Sequence, residues 1–515
     1  MRGTSSRARG PSMVDGKEPT IVKQTLDKDL AKIGKAEAAT ATLARGLVAP
    51  GIAFLFLAGI VLIGGTLLGN QTNGLLIVAA AAIGGYMALN IGANDVANNV
   101  GPAVGSKALT MTGAIIIAAI CESAGALLAG GDVVSTISRG IIDPTTAANT
   151  ETFVWLMMAA LISAALWLNL ATVLGAPVST THSIVGGVMG SGIAAAGFSA
   201  VNWPVMAGIA ASWVISPVMG GVIAAAVLAF IKVAIIYRED KIAAARRWVP
   251  VLIALMAGAF GTYMALKGVS KLIKISLPHS LLIGLGIALV VWVVVRPLIR
   301  RQSEGMENRN QSLRQLFVWP LIFSAALLSF AHGANDVANA IGPLAAIVHA
   351  LQDGEMSDRV TIPLWVMLIG ASGISFGLML FGPKLIRMVG DSITKLNPMR
   401  AYCVALAAAI TVIIASWLGL PVSSTHIAVG AVFGVGFFRE WFTANSHTRL
   451  SYVHARSPNG ADTEFSGLAR RKPARKLVRR QHVNTIAAAW IITVPASATL
   501  AAGVYLALQH LFNIV

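Results

Sequence analysis

The chain has 515 residues, of which 56% are hydrophobic and 12% are charged, and its mean hydropathy is +0.74. Soluble globular proteins carry about 25% charged residues, so the composition excludes that class and indicates a membrane protein. The net charge is +17, and the basic residues lie mainly in connectors between apolar segments, where they mark the cytoplasmic side. The positive charge therefore indicates how the chain is oriented in the membrane, and we expect no nucleic-acid partner. Cys121 and Cys403 lie within apolar segments and form neither a disulfide framework nor a zinc motif.

Apolar stretches recur along the chain after a polar arm, residues 1–46, that lacks the core of a signal peptide. Stretches of roughly 20 uncharged residues cross a bilayer as helices. They predict an all-α polytopic protein of the cell membrane (plasma or inner), with about 12 to 13 transmembrane segments. We place these near residues 47–69, 74–92, 108–130, 153–175, 178–200, 205–231, 248–266, 280–299, 317–345, 361–383, 399–418, 421–438 and 484–512.

The connectors define a domain organisation. Three of them, 232–247, 296–314 and 439–482, carry the main clusters of Lys and Arg and are predicted to be cytoplasmic. The predicted parts are the cytoplasmic arm 1–46, an extra helix 47–69, transport repeat 1 at 74–231, a connecting segment 232–314 with two transmembrane helices, and transport repeat 2 at 315–512, which includes the basic loop 439–482.

Two motifs occur twice in the same order. GANDVAN is found at 92–98 and 333–339, and G-x-P-V-S-[ST]-T-H at 175–182 and 419–426, so the chain contains an internal duplication. The basic connectors predict that the two GANDVAN helices cross the membrane in opposite directions. Opposite directions are possible only if each Pro-Val-Ser segment, with what precedes it, adds an odd number of membrane crossings, as a broken helix or a re-entrant hairpin followed by a span would. Inverted repeats with interrupted helices are typical of secondary transporters.

The GANDVAN motif predicts a cation site. An ionised Asp at the bilayer centre costs about 2.5 to 3.5 kcal/mol on insertion scales, so Asp95 and Asp336 should face a partner or a polar cavity. Amides flank both, and the Gly101-Pro102 and Gly342-Pro343 pairs are predicted to unwind the backbone and offer carbonyl oxygens. Carboxylate, amide and carbonyl oxygens suit a small cation. The alternative is that these polar residues only join and cap helices. The flanking amides are Asn94, Asn98, Asn335 and Asn339.

The second motif predicts an anion site. Each proline suits the first turn of a new helix, where hydroxyls stand beside exposed backbone N–H groups. The hydroxyl residues are Ser179, Thr180, Thr181, Ser423, Ser424 and Thr425. Glycines after each motif, Gly186, Gly187, Gly190, Gly430 and Gly434, are predicted to allow close helix packing. The alternative role for Ser and Thr is helix N-capping, and His182 and His426 are either packing residues or proton carriers.

Both motifs, present twice in inverted halves, resemble the inorganic phosphate transporter (PiT) family of cation-coupled symporters, over about residues 74 to 512. The resemblance implies a homodimer, with phosphate held between the two Pro-Val-Ser hairpins by the six hydroxyl residues named above. It implies cation binding by Asn94, Asp95, Asn335 and Asp336. Members often carry an acidic residue in each repeat; Glu122 fits the first and is a candidate for additional coupling, and we place its counterpart at Ala405.

Electrostatics predicts coupled transport. Two ionised aspartates and a divalent phosphate sum to about −4, a repulsion of several kcal/mol per close pair in low dielectric, so cations should enter with the anion. Sodium is favoured over the proton because neutral oxygens outnumber proton carriers in the motifs. The alternatives are a sulfate or other oxyanion permease on the same scaffold, an anion channel, or a Ser–His hydrolase. We expect no enzymatic activity and no cofactor beyond the transported Na⁺ or H⁺.

The sidedness of the connectors can be tested by cysteine labelling. In a background without Cys121 and Cys403, an impermeant thiol reagent should modify Thr145→Cys in intact cells and spare Ser457→Cys. The reason is that the basic connector around residue 457 is predicted to be cytoplasmic, and the segment 131–151 to be external. Labelling of the second thiol alone would overturn the inverted arrangement.

Overall fold

The computed structural model describes residues 47–174, 178–268, 273, 275–353, 362–392, 396–446, 449 and 480–512. The arm 1–46, residues 175–177 of the first hairpin and most of the basic loop 439–482 lie outside the described residues. Expectations for those parts stay predictions. Within the described ranges the chain is almost wholly helical, and the β-structure found there is one isolated bridge between Ile142 and Val201.

The helices follow one another with short connections. In chain order they are α1 Leu47–Leu68, α2 Gly74–Asn94, α3 Val96–Gly105, α4 Met111–Ala129, α5 Gly131–Ser135, α6 Thr150–Leu174, α7 Thr180–Ala196, α8 Trp203–Ile231, α9 Lys241–Lys267, α10 Leu277–Gln302, α11 Asn310–Leu316, α12 Val318–Asp353, α13 Leu364–Ser392, α14 Pro398–Trp417, α15 Ser424–Asn445 and α16 Arg480–Phe512. Single π-helical turns extend α5 (Thr136–Gly140) and α8 (Lys232–Ile236).

Twelve helices in the described part of the chain are long and apolar enough to cross a membrane, with α2 and α3 forming one span, Gly74–Gly105. This confirms the polytopic all-α class. The predicted segment 178–200 corresponds to α7, whose 17 residues extend roughly 26 Å at 1.5 Å per residue, slightly less than a bilayer core. It begins at Thr180, after α6 has ended at Leu174, and the broken-helix or re-entrant arrangement of this segment stays a prediction.

Helix burial separates a protein core from a lipid-facing layer. Side chains of α1 and α10 are mostly exposed although these helices are strongly apolar, as expected for surfaces in contact with acyl chains. Helix α12, which carries the second GANDVAN, is the most buried span. It packs against α4, α14 and α2, so the second motif lies at the centre of the bundle.

Glycine contacts relate the two repeats by an approximate two-fold symmetry. A Cβ at Gly125 would lie 2.0 Å from the carbonyl oxygen of Phe330, and a Cβ at Gly377 would lie 2.0 Å from that of Leu89. Phe330 and Leu89 occupy the same place relative to the two GANDVAN motifs. Helices α4 and α13 therefore contact the GANDVAN helices of opposite repeats in the same way.

The helices that follow the hairpins pack by a second reciprocal set of contacts. Gly430 and Gly434 of α15 touch the α8 backbone at Pro217 and Gly221, and Gly190 of α7 touches the α16 backbone at Ala498. Gly186 of α7 likewise contacts α16, and Gly187 contacts α6. The prediction that these glycines allow close helix packing is confirmed.

The predicted unwinding at the Gly-Pro pairs is wrong. Pro102 lies inside α3 and Pro343 inside α12, and both helices continue past the proline. A proline inside a helix removes only the bond to the carbonyl four residues earlier, which leaves the carbonyls of Asn98 and Asn339 without that donor. The carbonyl at the last Asn of each motif thus lacks its usual helical donor although the helix is not unwound.

The counterpart of Glu122 is also corrected. The hydroxyls of Ser123 and Ser375 are hydrogen-bonded at 2.8 Å, and the backbones of Glu122 and Ile374 contact Gly333 and Gly92, which begin the two GANDVAN motifs. Ile374 of α13 therefore matches Glu122 of α4. Ala405, the counterpart predicted from the sequence, lies in α14. Helix α14 precedes the second hairpin, so its equivalent in the first repeat is α6, which precedes the first hairpin, and not α4.

Substitution of one contact glycine should measure the importance of this close packing. Gly377→Val would force a side chain against the Leu89 carbonyl and should reduce the free energy of unfolding by about 1 to 3 kcal/mol. Gly286→Val on the lipid-facing helix α10, where nothing lies within 4 Å of an added Cβ, is the matched control. Thermal unfolding of the purified proteins in detergent compares the two; equal midpoints would contradict the packing role.

Candidate functional site

The first aspartate connects both hairpins. Asp95 lies between α2 and α3 and is 4% exposed. Its carboxylate accepts a hydrogen bond from Thr180 Oγ1 at 2.6 Å and one from Thr425 Oγ1 at 3.1 Å. Thr180 belongs to the hairpin of the same repeat and Thr425 to that of the other repeat. The predicted cation and anion residues therefore form one cluster.

The second aspartate has a different environment. Asp336 lies within the continuous helix α12 and is fully buried. Ser424 Oγ donates to its Oδ2 at 3.4 Å, and Nε2 of His332, one helical turn earlier, lies 2.7 Å from the same oxygen. In the part of the chain that the structure describes, no protein donor reaches Asp336 Oδ1. One buried carboxylate oxygen is thus left for a ligand.

The last Asn of each GANDVAN motif joins the two repeats. Asn98 Nδ2 donates to Thr425 Oγ1 at 2.8 Å, and Asn339 Nδ2 donates to Thr181 Oγ1 at 3.1 Å. The two bonds are equivalent under the approximate two-fold, because Thr181 and Thr425 hold the same motif position. Asn98 and Asn339, rather than the first Asn of each motif, are therefore the amides that contact the hairpin hydroxyls.

The first Asn of each motif bonds to the helix that precedes its hairpin. Asn94 Oδ1 accepts from Thr172 Oγ1 at 3.0 Å. Asn335 Nδ2 donates to Ser416 Oγ at 3.0 Å, and its Oδ1 accepts from the backbone N–H of Val422 at 3.1 Å. Thr172 and Ser416 are equivalent positions. These bonds position the hairpin entrances, and the cation-binding role of Asn94 and Asn335 stays a prediction.

The first hydroxyl residue of each hairpin caps a helix. Ser179 Oγ accepts from the backbone N–H of His182 at 3.2 Å, and Ser423 Oγ accepts from that of His426 at 3.4 Å. This is the N-capping arrangement considered as the alternative role. A capping hydroxyl can still donate its proton to an anion. In both copies the serine hydroxyl thus contacts the backbone N–H of the motif histidine.

The two motif histidines pack against each other. The ring centroids of His182 and His426 are 4.8 Å apart, and that of His182 is 3.8 Å from Trp213. Trp213 Nε1 donates to the carbonyl of Pro421 at 3.1 Å. Since His182 and His426 are equivalent and touch, they lie at the approximate two-fold. The geometry favours the packing role over the proton-carrier role.

One residue that the motif analysis missed is central to the site. His332 Nδ1 lies 2.6 Å from Glu122 Oε2, and Asn99 Nδ2 donates to Glu122 Oε1 at 2.9 Å. All three side chains are buried. His332 thus bridges Glu122 and Asp336. The signal was present in the sequence, because His332 stands four residues before Asp336 where the other repeat has an isoleucine before Asp95.

The two repeats therefore differ at this point of the site. The equivalents of Glu122 and His332 are Ile374 and Ile91, both fully buried. A hydrogen-bonded polar pair in one half corresponds to an apolar pair in the other half. Asp336 consequently has a histidine one helical turn before it, in contact with its carboxylate, whereas Asp95 has an isoleucine at that place in its own helix.

The cluster has the donor set of a cation site. Ligand atoms of Asp95, His332 and Asp336 lie within 4.8 Å of one another. Among the described residues, none donates a hydrogen bond to the buried oxygens Asp336 Oδ1 and Asn339 Oδ1, and buried acceptors without donors are costly. A cation would satisfy these oxygens, so the residues present fit a small ion such as sodium.

The hairpins add a positive field to the same region. Helices α7 and α15 begin at Thr180 and Ser424, and Thr181 Oγ1 donates to the carbonyl of Val422 at 3.0 Å, so the start of α7 adjoins the entrance to α15. Helix N-termini carry unpaired N–H groups and a partial positive charge. An anion held between the two starts would lie next to the aspartates.

Three comparisons with known proteins agree on a class. The sequence profile of the phosphate transporter family matches residues 91–501. A relative named as a phosphate permease in Helicobacter pylori strain J99 is 46% identical, covering 93% of this chain and 98% of its own length. One in Chlamydia muridarum is 36% identical, covering 85% and 99%. The solved structure of a sodium-dependent phosphate transporter is 35% identical, with a TM-score of 0.74, covering 84% of this chain and 99% of its own.

The asymmetric pair can be tested against the repeat that lacks it. Glu122→Ile and His332→Ile should each reduce the free energy of unfolding by about 3 to 5 kcal/mol, because each leaves a buried polar partner unsatisfied. The double variant copies Ile374 and Ile91 and should lose much less than the sum. Thermal unfolding of the four proteins measures the coupling; additive losses would mean that the pair does not interact.

Proposed function

This chain belongs to the phosphate transporter family, and we propose that it is a secondary active transporter that moves inorganic phosphate across the cell membrane together with a cation. The observation that carries the proposal is the contact of Asp95 with hydroxyls of both hairpins. Cation and anion binding then share one set of side chains. The homodimer that the family resemblance implies is part of the same proposal.

Charge balance accounts for the coupling. Hydrogen phosphate between the hairpin starts would lie close to Asp95 and Asp336. At about 4 Å and an effective dielectric of about 20, the repulsion would cost roughly 4 kcal/mol for each pair of unit charges. A cation at the buried oxygens of Asp336 and Asn339 would offset it. Phosphate therefore binds well only when the cation site is occupied, and movement of one solute depends on the other.

The contacts between repeats are the ones that binding would change. Thr425 donates to Asp95 and accepts from Asn98, and Thr181 accepts from Asn339. If the hydroxyls turn to phosphate oxygens and the cation takes the carboxylate, these bonds between repeats are exchanged for bonds to the solutes. The two halves can then move relative to each other, which is what alternating access requires.

Phosphate is favoured over sulfate by the acceptors near the hairpins. Hydrogen phosphate keeps one O–H donor at neutral pH and sulfate keeps none. Asp95 offers a carboxylate beside the hydroxyls, so a site of this kind can accept the phosphate proton. The sulfate or oxyanion permease remains the second candidate function, and it predicts that sulfate competes.

Sodium is favoured as the coupling ion. Neutral oxygens outnumber basic groups around the aspartates: three hydroxyls contact Asp95 and Asp336, and the Asn339 side-chain oxygen is a further acceptor. A small cation needs several such oxygens. The Glu122–His332 pair is the feature that favours the proton instead, because it places a histidine against Asp336.

Neutralisation of either aspartate tests the cation role. Asp95→Asn and Asp336→Asn should each reduce phosphate uptake into proteoliposomes to background, because the variant no longer attracts the cation that offsets the phosphate charge. Glu307→Gln, which removes an exposed carboxylate of a connector, should leave uptake unchanged. Normal uptake by an aspartate variant would refute the cation role.

Excess unlabelled sulfate tests the substrate, since strong competition with labelled phosphate would favour the alternative, a permease for other oxyanions.

The coupling ion can be identified with imposed gradients. An inward sodium gradient at equal pH should drive labelled phosphate into proteoliposomes, and a proton gradient without sodium should not. Asn94→Ala should raise the sodium concentration for half-maximal uptake if that amide binds the ion. The same sodium concentration is measured for Asn98→Ala, the matched variant that removes the hydrogen bond to Thr425. Equal uptake on a proton gradient would mean that the carboxylates carry protons.

A further inference from the structure

A basic cluster lies at the end of an apolar groove between α8 and α15. We propose that this surface binds one anionic phospholipid, with an acyl chain in the groove between α8 and α15 and the headgroup phosphate in the basic cluster. Lys232 and Arg439 are the central basic residues. The proposal does not depend on the transported substrate.

The groove has the character of an acyl-chain site. Its volume is about 650 Å³, and the residues that line it, between Val214 and Ala225 on α8 and between Val429 and Trp441 on α15, are all apolar or glycine. Gly221 and Gly434 bring the helix backbones into contact. Large side chains such as Phe437 and Trp441 rise beside this contact. The surface is therefore concave and faces the hydrocarbon region.

The direction of the helices places one end of the groove at a membrane surface. Gly430 meets Pro217 and Gly434 meets Gly221, so the contact advances along both helices together and α8 and α15 run parallel. The end lined by Ala225 and Trp441 is consequently the C-terminal end of both helices. That end leads into connectors 232–247 and 439–482, which are predicted to be cytoplasmic.

The basic cluster begins where the groove ends. Lys232 Nζ lies 4.1 Å from the ring centroid of Phe442 and 5.4 Å from that of Phe438, and Phe438 lines the groove. The charges of Arg439, Arg400 and Arg449 are close enough to act on Lys232. Arg314 acts in the same way on Arg400. Five cationic side chains from different parts of the chain are thus gathered in one region, within electrostatic range of one another.

Among the described residues, no ion pair joins any of the five cations to a carboxylate. Like charges at short range repel, so the arrangement is favourable when an anion binds there. Basic pockets between transmembrane helices at the cytoplasmic side bind anionic headgroups. The adjoining apolar groove selects a lipid over a free anion.

Aromatic residues place the cluster at the level of the headgroups. Tyr237 stacks on Phe442 with ring centroids 5.7 Å apart, and Trp441 is exposed at the groove end. Such side chains are enriched at membrane–water interfaces. A phosphate at this depth is within reach of the long Lys and Arg side chains, while the acyl chain continues along α8 and α15.

Lipid retention by the purified full-length protein tests the proposal. Native mass spectrometry would compare palmitoyl-oleoyl phosphatidylglycerol with the phosphatidylcholine of the same chains. The wild type should retain the anionic lipid, and the double variant Lys232→Gln with Arg439→Gln should retain it at least about tenfold less. Arg300→Gln with Arg301→Gln removes the same charge from the end of α10 and is the control. Lys232→Arg keeps the charge and should keep retention, which separates charge from folding.

A variant that fills the groove distinguishes the sources of the anion. Ala225→Trp leaves all five cations in place but occupies the acyl-chain position, so it should also reduce retention. If inorganic phosphate binds the cluster and Ala225→Trp has no effect, the site takes a free anion and the proposal is wrong. Equal retention of both lipids would also overturn it. So would a change from dimer to monomer in Ala225→Trp, because a second copy would then occupy the groove.

Discussion

The hydrogen bonds between the GANDVAN aspartates and the hairpin hydroxyls are the constraint on which the rest of the structure depends. A buried carboxylate needs donors, and Asp95 obtains one from each repeat, at Thr180 and Thr425. The two hairpins must therefore end at the same point. The breaks at the Pro-Val-Ser segments, the helix starts of α7 and α15 and the approach of the two repeats all serve this geometry.

Close packing makes these bonds attainable. Side-chain hydroxyls reach a carboxylate only if the helices that carry them approach within a few ångströms, and glycines provide this approach at Gly125, Gly377, Gly430 and Gly434. In a membrane, such contacts supply packing that the hydrophobic effect does not. The same spacing pairs Ser123 with Ser375 and His182 with His426. Packing and site geometry are thus two results of one symmetric arrangement.

The departure from symmetry concerns charge. One half contains Glu122 and His332, and the other contains Ile374 and Ile91 at the same positions. The apolar pair shows that the fold itself needs no polar group there. The polar pair therefore alters the environment of the second aspartate and makes the two halves of the site chemically different. A duplicated scaffold can in this way acquire two unequal sites.

The membrane class, the duplication and the two repeated motifs could be predicted from the amino-acid sequence. Composition and the identity of short segments carry this information, and no distance between residues is needed for it. Only the tertiary structure decided which side chains reach each other. Asn98 and Asn339, rather than Asn94 and Asn335, contact the hairpin hydroxyls, and Ile374 rather than Ala405 matches Glu122. The helices continue through Pro102 and Pro343. These outcomes depend on helix rotation and on the distance between backbones, which contacts far apart in the sequence control.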